Sequence, residues 1–465
     1  MRIKKRELEI DLIILALSLF CVIIHKLEIA SILSIVIVIV YFCALLKRNI
    51  FYYVKYFPLA LGAVMAISGV FLCEFSNLSL YEIDEKAAFV GSLPLLVFSY
   101  IVFFVSLSMF EDRRIYKKAY RSSIRERSEK KYPKVCHYIS IASTIVLFLQ
   151  FVRIIRTPAF MMSLDRFQYS SMVYSNKGIW RLFDSVSYAL IIFPAMDFIH
   201  NHKYVGGAGL LFYVLYNLWN GNKFGPFLTI IIFFLLIDYE KIVKMNRTQL
   251  RRLIVHGVII LLILMIVALI LASNVMKMNW KEYLGLRLAQ QGQLWWKTFS
   301  VSKASHLSEL SDEWYGTLYG SPNVAENIGA KYGIYKIMYL CGKQSYIDFK
   351  IGAGSRFSEA GYATAFYYLR TLGCVLYSIT NALIIAKTLD AFIGAVRKRY
   401  WIEIALLARL YTLERVAFSM ATFGNFIDGV SILSYLLLGG LFVYHHRAQS
   451  KGVKLMNIYS GDLSA

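Results

Sequence analysis

Charged residues are scarce in this chain: they make up 17% of its 465 residues, whereas 58% are hydrophobic. A soluble protein of ordinary composition carries about a quarter charged residues. The mean hydropathy is +0.54, and several apolar runs approach the ~20 residues that a helix needs to cross a ~30 Å hydrocarbon layer. The composition therefore excludes an ordinary soluble protein. The length of the runs excludes a transmembrane β-barrel, whose strands need only ~10 alternating residues.

Several catalytic and metal-binding signatures are also missing. The sequence has no P-loop, no HExxH, no GxSxG and no CxxC. Its six cysteines lie mostly in or next to apolar runs, which argues against a disulfide framework. The acidic stretch EIDEK, which contains Glu82 and Asp84, is interpreted as an exposed turn rather than a cation site. We therefore expect neither a metal nor a cofactor.

Apolar runs and their polar boundaries predict an all-α polytopic membrane protein with about twelve transmembrane helices. These helices are expected to form a single transmembrane domain over residues 1–465. The predicted spans are 10–24, 29–46, 57–73, 89–110, 135–155, 183–199, 205–219, 226–237, 253–272, 362–386, 401–421 and 429–444.

The formal net charge of +22 predicts the orientation of these spans. Most of the 51 basic residues lie in one set of loops, which includes the basic run from Arg113 to Lys134. The opposite set of short loops holds few basic residues. Because positively charged loops stay in the cytoplasm, both termini are predicted to be cytoplasmic. The excess charge is thus an orientation signal, and no nucleic-acid partner is expected.

Two predicted periplasmic loops are too long to be simple connections. The first covers residues 156–182, and the second covers residues 273–361. The stretch RLAQQGQLWWKTFS, from Arg287 to Ser300, lies near the start of the second loop. Polar chemistry on the predicted outer side is concentrated in these loops, so we expect function there.

Positively charged side chains near the outer boundary are the candidate anion ligands. Arginine binds phosphate through two parallel hydrogen bonds, and a lysine before a helix N-terminus adds positive potential. Charges inside an apolar span are functional candidates by default, although a salt bridge between spans, for example to Glu414, is the alternative. The candidate ligands are Arg166, Lys223, Arg287, Arg356, Arg370 and Arg415.

The second long loop also contains residues that suit a hydroxyl-rich ligand. Gln290 and Gln293 carry amides that donate and accept hydrogen bonds at once. Trp295 and Trp296 offer flat apolar faces on which a sugar ring can stack. The competing interpretation for the tryptophans is an aromatic belt at the membrane boundary.

A general base on the outer side has two candidates. His306 is the only histidine in either long loop, and imidazole changes charge near neutral pH. Glu359 lies just before the span that follows the second loop, and a carboxylate also accepts protons. The sequence alone does not choose between them.

Local motifs resemble those of the Wzy-type O-antigen and oligosaccharide repeat-unit polymerases. DRFQYSS and FPAMDF look like the first large loop and the next span of such polymerases, and NGNKFGPFLTIIIFFLL is similar to their glycine-rich hairpin. LRLAQQGQLWW resembles the start of their second large loop, and FSEAGYATAFYYLRTLG resembles their return to the membrane. The resemblance covers most of the chain after residue 135. Lys223 stands where relatives often have arginine, and lysine lacks the guanidinium fork.

This resemblance implies a fold like that of the C-type, lipid-dependent glycosyltransferases, together with a reaction. A growing polysaccharide on undecaprenyl diphosphate is transferred to a new lipid-linked repeat unit, on the periplasmic face of the bacterial inner membrane. The implied partners are the lipid-linked glycan donor and acceptor, membrane lipid, a chain-length regulator and a flippase. The candidate cations would bind the diphosphate. The glutamines and tryptophans would contact sugar, and Glu359 or His306 would deprotonate the acceptor.

Three alternative functions stay open at the level of sequence. An O-antigen ligase of the same superfamily moves finished glycan onto a lipid A core. A lipid-linked oligosaccharide flippase is a transporter, but no internal repeat of the kind common in transporters is visible. A structural partner of an export complex would have no catalytic residues at all.

Overall fold

The computed structural model describes residues 5–48, 50–111, 134–157, 169, 190–200, 202–220, 225–239, 242, 245–276, 279–311, 333–352, 357–421, 423–427 and 429–450. Helices dominate this part of the chain, which agrees with the predicted all-α class. Among the described residues, five helices are long and apolar enough to cross a membrane, as expected of a membrane protein. They are Glu28–Lys47, Lys55–Phe75, Leu93–Phe110, Lys134–Ile154 and Ala360–Lys398.

A helix lies over all or part of every predicted span. In chain order the helices are α1 Lys5–Ile23, α2 Glu28–Arg48, α3 Ile50–Phe75, α4 Leu93–Phe110, α5 Lys134–Ile154, α6 Ile192–Ile199, α7 Lys203–Trp219, α8 Gly225–Ile237, α9 Arg247–Met276, α10 Trp280–Ala289, α11 Gln293–Val301, α12 Gly333–Cys341, α13 Gln344–Gly352, α14 Ala360–Lys398, α15 Trp401–Met420 and α16 Gly429–Ser450. Within the described residues, the only strands are β1 Ser79–Leu80 and β2 Glu85–Lys86, which pair antiparallel. The number of membrane crossings stays a prediction.

Within the single domain predicted from the sequence, packing distinguishes two compact units. The first contains Met1–Glu111, Met278–Lys387 and Leu413–Ile427. The second contains Asp112–Lys277, Thr388–Thr412 and Asp428–Ala465. The chain therefore passes between the units several times, and each unit is assembled from separate segments.

Helix α4 is the most buried membrane helix of the first unit, with 89% of its residues inside. Glu74 caps its N-terminus: the carboxylate accepts hydrogen bonds from the backbone N–H groups of Ser92 and Leu93, at 2.5 and 3.1 Å. A carboxylate there satisfies N–H groups that lack a partner within the helix and complements the helix dipole. Ser31 of α2 donates to the other carboxylate oxygen at 2.8 Å. Glu74 thus joins α2, α3 and the start of α4.

The stretch RLAQQGQLWWKTFS, predicted to open a loop, forms the end of α10, a tight turn and most of α11. The turn packs against α3 backbone to backbone. A Cβ atom on Gly69 would lie 2.5 Å from the carbonyl oxygen of Leu288, and one on Gly292 would lie 2.2 Å from the nitrogen of Val70. Glycine is required at both positions because a side chain would enter the neighbouring backbone.

Helix α14 is a helical hairpin rather than one straight helix. Arg370 has φ 56° and ψ −142°, which breaks the helix. The hydroxyl oxygens of Tyr362 and Ser378 lie 3.1 Å apart, whereas a continuous helix would separate these positions by ~24 Å. A Cβ atom on Gly373 would lie 2.0 Å from the carbonyl oxygen of Ala365, so the two sides touch. We call residues 360–369 the first arm and residues 371–398 the second arm.

This hairpin corrects the predicted span 362–386. The sequence is apolar on both sides of Arg370, so hydropathy alone shows one continuous run. The backbone instead reverses at Arg370, and only the second arm continues past the predicted end of the span. Arg370 was expected about two turns inside a span, but it occupies the turn of the hairpin.

In the second unit, α5, α6 and α7 pack closely. A Cβ atom on Gly206 of α7 would lie 2.6 Å from the carbonyl oxygen of Pro194, and one on Gly209 would lie 2.8 Å from the Pro194 ring. Asp197 of α6 is fully buried and accepts a hydrogen bond from Nδ1 of His137 at 2.7 Å. Small residues and a buried polar pair therefore hold these three helices together.

Candidate functional site

The clearest polar site in the first unit lies at the turn of the α14 hairpin. Residues 302–306 run along the end of the first arm. The guanidinium of Arg370 donates to the carbonyl oxygen of Ser302. The Ser305 hydroxyl donates to the Tyr368 carbonyl oxygen at 2.5 Å. The backbone N–H of His306 donates to the Tyr367 carbonyl oxygen at 3.3 Å. We call residues 302–309 and 367–370, together with Lys336, the hairpin-tip site.

His306 has a fixed orientation in this site. Its Nδ1 lies 3.1 Å from a carboxylate oxygen of Glu309, and its ring stacks on Tyr367 with centroids 4.1 Å apart and planes 1° apart. An ionised carboxylate only accepts hydrogen bonds, so Nδ1 carries the hydrogen and the neutral ring keeps its lone pair on Nε2. Nε2 makes no hydrogen bond to any residue that the structure describes. The imidazole is therefore held in place with one nitrogen available.

Glu309 collects three donors. Tyr367 donates its hydroxyl to the carboxylate at 2.9 Å, and Lys336 forms an ion pair with it, in addition to the contact with His306. The hydrogen bond from Lys336 is the largest cause that lowers the pKa of Glu309 to about 2. Glu309 is thus ionised at neutral pH. Lys336 also lies 5.5 Å from the centroid of the Tyr367 ring, so its ammonium contacts both the carboxylate and the ring.

Arg370 brings a second cation to the hairpin-tip site. Its guanidinium lies 4.0 Å from the centroid of the Phe366 ring and donates to Ser302, and it forms no ion pair with any described residue. The positive φ of 56° is unfavourable for a residue with a side chain, at a cost of about 1–3 kcal/mol. Such strain persists where the surrounding structure enforces it, and it is concentrated at functional sites.

Glu359, the second predicted base, lies at the other end of the first arm. The Tyr100 hydroxyl of α4 donates to its carboxylate at 2.8 Å, and the residue is only 8% exposed. It also has a positive φ, of 57°. The first arm separates it from Arg370 by ~16 Å at 1.5 Å per residue. The structure therefore places the two predicted bases in different surroundings.

Arg287 and Gln290 come together in a separate polar cluster at the turn between α10 and α11. Arg287 donates from Nε to the Tyr283 hydroxyl at 2.9 Å and from a terminal nitrogen to Gln290 at 2.5 Å. Nearby, Gln293 donates to Glu82, which also accepts from Lys350 at 2.7 Å. This cluster lies at the start of α11, and the nine residues of that helix separate it from the hairpin-tip site.

Glu82 corrects one sequence-based interpretation. The stretch EIDEK was interpreted as an exposed acidic turn, and Asp84 is indeed exposed. Glu82, however, is only 8% exposed and is engaged by Gln293 and Lys350. Its carboxylate therefore fastens the β-hairpin to the helices α11 and α13.

Trp295 and Trp296 are both buried, at 0% and 3% exposure. Their indole N–H groups donate to the carbonyl oxygens of Ser92 and Ala88, at 3.1 and 2.8 Å. The Trp295 ring also packs edge-on against Phe366 of the first arm, with centroids 5.4 Å apart. The two indoles therefore hold α11 in place, and neither indole ring has a face open to a sugar ring.

Of the four remaining predicted residues, three lie outside the part of the chain that the structure describes and one lies on a described helix. Arg166, Lys223 and Arg356 lie outside the described residues. Arg415 lies on α15, in the part that belongs to the first unit, and is half-buried. The structure places Arg287 in a separate cluster from Arg370, and the part of each predicted cation in diphosphate binding stays a prediction.

Sequence reasoning did not single out Glu309, Lys336 and Tyr367. Glu309 follows His306 by three residues, a spacing that brings side chains together in a helical turn. That spacing was the one available signal. Lys336 and Tyr367 reach the site only through tertiary packing, so no local pattern points to them.

In comparisons with protein-family models, curated proteins and solved structures, nothing matches this chain. The resemblance to the polymerase family therefore still depends on short sequence motifs. The function has to be argued from the site and its setting in a membrane protein.

Proposed function

We propose that this protein is a lipid-linked-oligosaccharide-dependent glycosyltransferase. It polymerises undecaprenyl-diphosphate-linked repeat units into O-antigen or a related surface polysaccharide. The proposal includes twelve spans, cytoplasmic termini and an active site on the periplasmic face of the bacterial inner membrane. In the reaction, an acceptor hydroxyl oxygen bonds to the anomeric carbon of the donor. The bond from that carbon to the diphosphate oxygen breaks, and the diphosphate leaves with the electron pair.

The observation that carries the proposal is Arg370, a guanidinium at the turn of a helical hairpin that has no carboxylate partner among the described residues. A departing diphosphate accumulates negative charge, and a fixed guanidinium stabilises that charge without reorganising. Arginine also matches phosphate oxygens with paired hydrogen bonds. Its N–H groups that do not contact Ser302 have no partner among the described residues, so they are available to an anion.

The setting of Arg370 supports a lipid-linked substrate. The described part of the chain carries five helices with membrane-spanning length and composition, and Arg370 lies within one of these segments. A polyprenyl tail needs an apolar environment, whereas its diphosphate needs cations at the boundary. Lys336, paired with Glu309, and the buried rings of Tyr367 and Tyr368 support the same site from within the protein.

The test supplies purified protein in lipid nanodiscs with lipid-linked repeat units alone. We expect a ladder of longer lipid-linked glycans, which Arg370→Ala should reduce by about 100-fold or more. Lys343→Ala, a change at an exposed lysine between α12 and α13 and outside the hairpin-tip site, is the matched control and should leave the ladder intact.

Other outcomes of this assay contradict the proposal. Transfer that occurs only when a lipid A core acceptor is added identifies a ligase. Movement of the lipid-linked unit across the bilayer without growth identifies a flippase. A ladder that persists at full rate with Arg370→Ala excludes Arg370 as the diphosphate ligand.

A further inference from the structure

Two residues were predicted to deprotonate the acceptor, and the geometry distinguishes them. Building on the proposed function, we infer that His306 is the base and that Glu309 is its positioning residue. Glu359 then has no part in the proton transfer. Lys336 acts on the base only through Glu309.

Distance from the leaving group decides between the two candidates. The acceptor oxygen attacks the same anomeric carbon that the diphosphate leaves, and reacting atoms approach to about 3–3.5 Å. A base lies within about 3 Å of the proton-bearing oxygen. The base must therefore lie within roughly 10 Å of the cation that holds the phosphate.

The contacts place His306 at the end of the first arm that carries Arg370, whereas Glu359 lies at the other end. The His306 ring stacks on Tyr367, which is one helical turn from Arg370 along the first arm. Residues 302–306 also connect the two directly, since Arg370 donates to Ser302. Glu359 lies at the opposite end of the first arm, ~16 Å from Arg370. Its carboxylate accepts a hydrogen bond from Tyr100.

The contacts of His306 give it the correct tautomer for this step. Glu309 accepts from Nδ1, which leaves the lone pair on Nε2. As the new C–O bond forms and the bond to diphosphate breaks, Nε2 takes the acceptor proton. Glu309 stabilises the imidazolium that results, and the imidazolium later releases the proton to water. Because Lys336 lowers the pKa of Glu309, the carboxylate is a weak base and does not compete for that proton.

The experiment measures initial rates of ladder formation with purified variants in the nanodisc assay. His306→Ala should lower kcat by about 100-fold or more, the usual contribution of a positioned base. His306→Gly should regain activity when imidazole is added, which a purely structural histidine would not show. Glu309→Gln should lower kcat by about 10-fold with KM unchanged, because substrate binding in the ground state does not use the His306–Glu309 pair.

Two controls separate positioning from folding. Asp348→Asn removes another carboxylate of the first unit, which among the described residues accepts only from Tyr339, at 2.6 Å, and should leave kcat unchanged. Lys336→Gln breaks the ion pair but keeps Glu309 beside His306, so its loss should be smaller than that of Glu309→Gln. An equal loss in both variants would show that Glu309 acts only as a structural anchor.

Several results overturn the inference. They are full activity in His306→Ala, no rescue by imidazole in a folded His306→Gly, and a large loss in Glu359→Gln with none in His306→Ala. In each of these cases the wild type still makes polymer, so the proposed function stands. A wild-type preparation that makes no polymer overturns the proposed function, and the assignment of the base falls with it.

Discussion

At the scale of single residues, Arg370 combines a strained backbone with a side chain that the proposed chemistry requires. Arg370→Ala and Arg370→Gly remove the same contacts to Ser302 and Phe366. Only glycine adopts φ 56° without a steric penalty. We therefore expect the glycine variant to be more stable than the alanine variant by about 1 kcal/mol. Both variants should be equally inactive.

Thermal unfolding of the two variants in detergent measures this difference. A higher thermal midpoint for the glycine variant, which stays inactive, would support the interpretation that the strained backbone at this position serves to place the guanidinium. A higher midpoint for the alanine variant would show that the backbone at this turn is relaxed, and the argument from strain would then be lost.

Glu309 gives a pH-dependent contribution with a defined sign. Its ordinary pKa of 4.5 falls to about 2 in the folded protein, chiefly through the hydrogen bond from Lys336. A depressed carboxyl pKa stabilises the folded state above the unfolded pKa, and this contribution disappears as the pH falls through the folded value. The wild type should therefore exceed Glu309→Gln in thermal midpoint at neutral pH, and the gap should close between pH 4.5 and 2. A gap that widens on acidification would contradict the pairing with Lys336.

At the scale of elements, two glycines on α3 provide a matched pair. Gly69 faces the turn between α10 and α11, where a Cβ atom would lie 2.5 Å from a backbone oxygen, whereas nothing lies within 4 Å of a Cβ atom on Gly62. Gly69→Ala should destabilise the protein by about 1–3 kcal/mol, as forced overpacking does. Gly62→Ala should be neutral or stabilising, because alanine favours a helix more than glycine does. Equal midpoints for the two variants in thermal unfolding would show that the turn does not pack tightly on α3.

The helices themselves were largely predictable, and the reason is physical. A membrane helix must satisfy its backbone hydrogen bonds internally within an apolar solvent, so each one leaves a long apolar run in the sequence. Turns inside such runs leave no comparable mark. The reversal at Arg370 has apolar residues on both sides, and α10 and α11 lie in a stretch whose composition suggested a loop.

At the scale of the whole molecule, the candidate site was only partly predictable. Arg370 and His306 could be predicted as site residues from the sequence. Arg370 is a charge inside a predicted apolar span, and His306 is the only histidine in either long loop. Glu309, Lys336 and Tyr367 could not be chosen together, because three separate segments bring them to one place. The burial of Trp295 and Trp296 was likewise invisible, since boundary tryptophans have the same sequence pattern whether they face lipid, sugar or the protein core.

The proposed orientation of the molecule has a direct test, because the proposed chemistry needs the hairpin-tip site to be periplasmic. Alkaline phosphatase is active only where its disulfides form, which is outside the cytoplasm. Truncated fusions at Arg252 and Lys303 bracket the predicted span 253–272 of α9. The fusion at Lys303 should be active, whereas the fusion at Arg252 and one at the C-terminus should be inactive. Activity in the reverse pattern would place residues 302–306 in the cytoplasm, where the proposed periplasmic polymerisation could not take place.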